Sequence, residues 1–140
     1  MIALWLPCVP PTTTHQAKRI VRVRRFATLA DKPELRAAKD MLDALLLPHQ
    51  PAAPLVGPYR LTLRFVYPWR KGESKARRAA GSQPHTSRPD ASNLAKTIED
   101  RLVALRFLED DNAVWQLLVI KELGNEPGIR VMIYGGDDAA

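Results

Sequence analysis

Tyr59-Arg60-Leu61-Thr62-Leu63-Arg64-Phe65-Val66-Tyr67 puts Leu61, Leu63 and Phe65 on one parity and Arg60, Thr62 and Arg64 on the other. Side chains along a strand point to opposite faces in turn, so the stretch reads as a β-strand with an apolar and a polar face. Before it, Pro48 to Pro58 is a connector whose four prolines forbid regular backbone hydrogen bonding. Upstream again, Leu35, Ala38, Met41, Leu42 and Leu45 recur at helical spacing, with Pro33 suited to the first turn and Asp31 a candidate N-cap. Arg19 to Arg24 mixes basic and β-branched residues, as a strand with one wet, basic face does, and Ile2 to Leu6 is a short strand ended by Pro7, Pro10 and Pro11.

Beyond the opening stretch, Trp69 to Pro89 reads as a basic loop that is mobile without a partner. Residues 91–106 form a second helix. Val114 to Lys121 is apolar on both parities, which suits a central strand. Ile129 to Tyr134 is a final strand after a Gly124–Gly128 turn. The expected order is ββαβαββ: one α/β domain over residues 1–140, a small mixed sheet with two helices.

The composition agrees with one folded domain. Of 140 residues, 46% are hydrophobic and 26% charged, which excludes a wholly disordered chain. The single Cys8 cannot form an intramolecular disulfide, and the absence of a CxxC pair or Cys/His cluster argues against structural zinc. His15 and His85 lack metal-ligand spacing and read as loop residues. Met1 to Pro7 has no basic leader, and the longest aliphatic run, Leu117 to Ile120, is far short of the roughly 20 residues a membrane span needs. A cytoplasmic protein is expected.

Charge is divided along the chain. Residues 1–89 carry 16 basic and 5 acidic residues, net +11, whereas residues 90–140 carry 5 basic and 10 acidic, net −5. A basic surface beside an acidic cluster suits an enzyme that holds phosphates with cations and a metal with carboxylates. A solubilising surface with an accidental gradient explains the same arithmetic.

The chemistry-bearing stretch is Arg88-Pro89-Asp90-Ala91-Ser92-Asn93-Leu94-Ala95-Lys96-Thr97-Ile98-Glu99-Asp100, followed by Glu109-Asp110-Asp111-Asn112. On a helical wheel Leu94, Ile98, Leu102 and Leu105 fall within an arc of about 80°, opposite Asn93, Lys96 and Asp100. Ordinary helix chemistry accounts for much of this: Asp90 as an N-cap, and Lys96 with Asp100 as an i, i+4 ion pair. The second acidic cluster adds something else, since a strand returning antiparallel to the helix brings residues near 111 back toward it. Converging carboxylates suit Mg²⁺, which takes oxygen ligands, activates water and neutralises phosphate charge, while a lysine supports the transition state.

Asp90-x-Ser92-Asn93-Leu94-x-Lys96, then Asp100, then Asp110-Asp111, resembles the signature of the RusA family of Holliday-junction resolvases, Asp-x-Asp-Asn with a lysine four residues after the second acidic position, a helical Asp and a later Asp-Asp pair. The resemblance is strong over residues 88–122 and weaker toward the N-terminus. It implies catalytic roles for Asp90, Lys96 and Asp111, and metal binding by Asp90 and Asp111 with support from Asp100 and Asp110. It further implies Mg²⁺ (or Mn²⁺) as cofactor, a homodimer, four-way DNA junctions as substrate, and a bacterial or phage-infected cell as setting. Ser92 stands where the family has a second aspartate, and Asn93 follows it; serine brings no negative charge, so metal affinity should fall unless a neighbouring carboxylate compensates. A junction-binding protein without cleavage therefore stands beside the nuclease, as does an unrelated α/β protein with a coincident motif. The expected phosphate contacts are Arg70, Lys71, Lys75, Arg77, Arg78 and Arg88, with Lys18, Arg19, Arg22 and Arg24 next.

Overall fold

The computed structural model describes residues 1–14 and 16–136. Its elements run β1 (Ile2–Leu6), β2 (Lys18–Val23), β3 (Phe26–Asp31), α1 (Pro33–Leu46), β4 (Tyr59–Pro68), α2 (Lys75–Ala79), β5 (Ser82–Pro84), α3 (Ala91–Ala104), β6 (Val114–Gly124) and β7 (Gly128–Gly135), with 3-10 turns at Leu47–His49 and Asp111–Ala113. Five strands form one mixed sheet in the order β1-β7-β4-β6-β5. The strand read from the opening stretch, β4, lies at its centre, parallel to β6 and antiparallel to β7. A parallel pair needs a long crossover, and α3 lies within the one that joins β4 to β6.

The alternation of β4 becomes the core. Leu61, Leu63 and Phe65 are buried with Ile129, Val131 and Ile133 of β7 and Leu4 and Leu6 of β1, beneath Leu42 and Leu46 of α1 and Leu94, Ile98 and Leu102 of α3. Each such side chain contributes roughly 1.5–3 kcal/mol relative to exposure, so this layer fixes where α3 can sit. Arg101 of α3 also grips Asp43 of α1 with two prongs, Nε to Oδ1 at 2.8 Å and Nη2 to Oδ2 at 3.1 Å.

Four expectations change. Asp31 does not cap α1: Lys32 holds the N-cap position without a side-chain bond and Pro33 starts the helix, while Asp31 is ion-paired to Lys18 and to Lys39. The single strand expected around Arg19–Arg24 is half of a hairpin, β2 with β3, which forms a two-stranded sheet of its own. The segment 69–89 is not wholly a loop. It holds α2, capped by Ser74 Oγ accepting from the Arg77 amide, and β5, paired to the end of β6. Finally, β6 is not central over its apolar length. β5 meets it only at Glu122–Gly124, so among the described residues Val114–Lys121 has β4 on one side and no strand on the other, with Trp115, Leu117 and Leu118 exposed. Two apolar parities signal burial on both faces, which this strand does not reach within one chain.

Candidate functional site

Asp90 occupies the N-cap position of α3, yet its side chain makes no capping bond. Helix capping therefore accounts for its place and not for its carboxylate. Pro89 beside it is buried, and its carbonyl accepts a 2.6 Å hydrogen bond from Lys121 Nζ; the Ser87 carbonyl accepts another from the same ammonium. Lys121 thus ties the approach to α3 onto β6 and leaves Arg88 and Asp90 exposed. Partial burial pulls the Lys121 ammonium below the usual lysine range, opposed by the charge of Asp90.

A cleft of about 410 Å³ opens here, lined by Arg88, Pro89, Asp90 and Asn93 on one side and Thr12, Thr14 and Gln16 on the other. Asn93 Nδ2 donates to Gln16 Oε1 at 3.3 Å across it. Ser92 lies exposed on the first turn of α3.

One and a half turns along α3, Lys96 Nζ lies 3.0 Å from Asp100 Oδ1 and 2.5 Å from Asp111 Oδ2. The expected i, i+4 pair is present, and the later acidic cluster does return to the helix, through Asp111. The hydrogen bonds that Lys96 donates to Asp111 and then Asp100 hold its ammonium above the usual lysine range, and Lys96 holds the Asp111 carboxyl below the usual carboxylate range. Lys96 therefore stays cationic at neutral pH, able to place charge on a phosphate but not to act as a base. Burial raises the neighbouring Glu99 carboxyl.

Asp110 faces its own turn, accepting from the Asn112 amide at 2.9 Å. The acidic turn is positioned from below by buried Tyr59, whose hydroxyl donates to the Leu55 carbonyl and accepts from the Glu109 amide at 3.2 Å. Among the described residues, no three His, Cys, Asp or Glu side chains gather closely enough to hold a metal ion. The structure thus joins Lys96, Asp100 and Asp111, and sets Asp90 on the cleft with Arg88 and Asn93.

The other cations divide. Lys71 and Lys75 are exposed, whereas Arg77 pairs with Glu73 at 3.6 Å and Arg70 Nη2 donates to Ser87 Oγ at 2.7 Å. Arg78 reaches the Arg70 carbonyl at 3.5 Å, which links α2 back to its own loop. Lys18 is spent on Asp31, and Arg19, Arg22 and Arg24 are exposed. Trp69 is a brace: its indole Nε1 donates to Asn125 Oδ1 at 2.7 Å and its ring packs on the core. His85 stands edge-on to Tyr67 at 4.8 Å, and its Nδ1 accepts from the Ser87 amide; His15 lies outside the described residues.

Sequence reasoning missed Lys121, Tyr59 and the Thr12, Thr14 and Gln16 wall. Lys121 did leave a signal, being the one cation within strand β6. Tyr59 left none, because a tyrosine opening a strand is ordinary.

No helix among the described residues is long and apolar enough to cross a membrane. No curated protein matches the chain. A family model described as Endodeoxyribonuclease RusA matches residues 8–134, from just after β1 through the Asp90 to Asp111 constellation and into β7. Members of that family are nucleases that act on branched DNA junctions. Spanning all but the two ends of the chain, this match makes the protein a member of the RusA family of endodeoxyribonucleases.

Proposed function

We propose that the protein resolves four-way DNA junctions as a Mg²⁺-dependent homodimer, cutting two strands symmetrically. The observation that carries this reading is the Asp90 carboxylate. It stands at a helix start without capping it, on a cleft shared with Arg88 and Asn93, at the head of the helix whose Lys96 pairs with Asp111.

Resolvases of the family generally depend on a divalent metal. The donor chemistry fits a hard ion, because Mg²⁺ usually takes one or two carboxylates and completes its shell with water and phosphate oxygens. Asp90 and Asp111 would hold it, with Asp100 and Asp110 adding negative charge nearby. When bound, the metal would lower the pKa of an attacking water and neutralise phosphate charge. The chain's own residues supply the rest. Arg88 orients the phosphate at the cleft mouth, Lys96 places a fixed positive charge against the charge that develops on the phosphoryl oxygens, and Asn93 holds the cleft wall through Gln16.

Ser92, together with the absence of a three-ligand cluster among the described residues, favours a second reading, a junction-binding protein that does not cleave. A labelled four-way junction, incubated with the protein over a range of Mg²⁺ and Mn²⁺, separates the two. Paired, symmetric nicks support the resolvase, and binding without nicking at any metal concentration overturns it in favour of the second reading.

For the dimer, support comes from the open side of β6. A strand edge with exposed Trp115, Leu117 and Leu118 is self-complementary under a two-fold axis and hazardous if left uncovered. Leu118→Lys should convert a dimer to a monomer in sedimentation; a dimer of unchanged stability would remove β6 from the interface.

A further inference from the structure

The hairpin of β2 and β3 is the least accounted-for part of the molecule. Its strands pair from Lys18↔Asp31 to Val23↔Phe26, and a two-residue turn, Arg24-Arg25, closes it with Arg24 at φ 57°. Six residues of strand extend roughly 20 Å. The alternation of this register puts Ile20 and Leu29 opposite each other on one face, and Val21, Val23 and Phe26 on the other. Neither face is covered: Ile20 is 72% exposed, Leu29 70% and Phe26, beside the turn, 78%.

An isolated two-stranded hairpin is marginal in water, so its support has to come from its root or from a partner. The root is well held. Asp31 pairs with Lys18 across the hairpin and with Lys39 of α1 at 2.7 Å, and the Lys32 amide donates to the Ala17 carbonyl at 2.9 Å. Among the described residues the tip has nothing comparable, and its chemistry selects an occupant. Arg19, Arg22, Arg24 and Arg25 are all exposed, and Asp31 at the root is the only acidic residue of the hairpin. A second copy presenting the same arm would oppose like charges. Duplex DNA presents one phosphate per roughly 1.7 Å and a major groove wide enough for a two-stranded ribbon.

We infer that the β2–β3 hairpin is a DNA-inserting arm, in which Arg22, Arg24 and Arg25 take backbone phosphates and Phe26 wedges against an unstacked base. An aromatic side chain inserted at a base step does this elsewhere in DNA recognition, and a branch point, where stacking is already interrupted, lowers the cost. The inference rests on the reading of the chain as a DNA-junction protein and adds to it a contact away from the Asp90 cleft.

The test uses the full chain and a four-way junction carrying 2-aminopurine at the branch point, in EDTA, so that cleavage plays no part. The wild type should raise the fluorescence on binding. Phe26→Ala should abolish the rise and weaken binding roughly ten- to hundredfold, the range that loss of one base–aromatic stack implies. Phe26→Trp should restore both. Because Phe26 is exposed, an unchanged circular dichroism spectrum and Tm should accompany the loss. A Phe26→Ala variant with the full fluorescence rise and affinity within twofold of wild type overturns the wedge while leaving the junction reading intact. Failure of the wild type to bind any branched DNA overturns that reading and the wedge with it. Dissociation of a Phe26→Ala dimer with unchanged DNA affinity assigns the arm to a second copy and also overturns the proposal.

Discussion

Two three-membered charge groups in this protein are mirror images in sign. At the hairpin root, one carboxylate, Asp31, sits between two ammoniums, Lys18 and Lys39; on α3, one ammonium, Lys96, sits between two carboxylates, Asp100 and Asp111. The first joins separate elements, β2, β3 and α1, and leaves a net positive charge. It is a structural anchor with nothing further to attract beyond anions. The second joins α3 to the turn before β6 and leaves a net negative charge, with Asp90 at the head of the same helix. One internal cation does not balance it, so it remains attractive to an external one. Equal-looking ion-pair geometry therefore divides, on the proposed function, into a fastening and a site, and the sign of the residual charge is what divides them.

Removing charge from each group should expose that difference. The largest effect is expected for Asp111→Asn, which should lower junction cleavage by at least about a hundredfold while junction affinity stays within a few-fold, because the proposed metal ligand is lost but the phosphate contacts are not. Quantitative nicking and gel-shift assays read the two quantities separately; cleavage at the wild-type rate would place the metal elsewhere. Next is reversal of Arg77 and Arg78 to Glu. It should reduce affinity and make the dependence of log K on log salt shallower by about two phosphate contacts. An unchanged slope would take α2 out of the interface. Smaller again is Asp31→Ala, since each of these half-buried, solvent-screened ion pairs contributes on the order of 1 kcal/mol. Affinity should fall about fivefold at most as the arm loosens, with the cleavage rate at saturating junction unchanged. A collapse of that rate would mean that the anchor is part of the site.

How much of this was legible follows from the range of the forces involved. β4 and α3 could be read because their alternation and helical spacing are local, and the core obeys them: Leu61, Leu63 and Phe65 meet Leu94, Ile98 and Leu102. β3 escaped because Phe26-Ala27-Thr28-Leu29-Ala30 pairs only with β2 and buries little, so it shows no core-facing pattern. β6 misled for the opposite reason, its two apolar parities describing a burial that one chain does not provide. Within the site, Lys96 with Asp100 was legible as i, i+4, and Asp111 because a returning strand brings it back. The Lys121 clasp on Pro89 and the Tyr59 support under Glu109 were not, since they depend on tertiary contacts 32 and 50 residues apart in sequence.

The smallest effect, and the sharpest test of the mirror relation, is in acid titration. Hydrogen bonds from Lys18 and then Lys39 lower the Asp31 carboxyl to about 2, and Lys96 lowers that of Asp111. A carboxylate depressed in the folded state stabilises it at pH values above its unfolded pKa, near 3.9, and that contribution is lost as pH falls through the folded value. Both groups should therefore be intact at neutral pH and weaken only below about pH 4, that of Asp31 as pH falls toward about 2. Lys96 has the opposite sign. Raised in the folded state, it keeps its contribution below the ordinary lysine pKa and loses it only above, so the α3 group is bounded by acid through Asp111 and by alkali through Lys96. Carboxyl carbon chemical shifts followed from pH 7 to pH 2 read Asp31 and Asp111 individually. Lys18→Met should move the Asp31 midpoint upward and leave Asp111 in place, whereas Lys96→Met should do the reverse. A variant that moved both midpoints together would show the two groups to be one coupled network, and the distinction between anchor and site would fall.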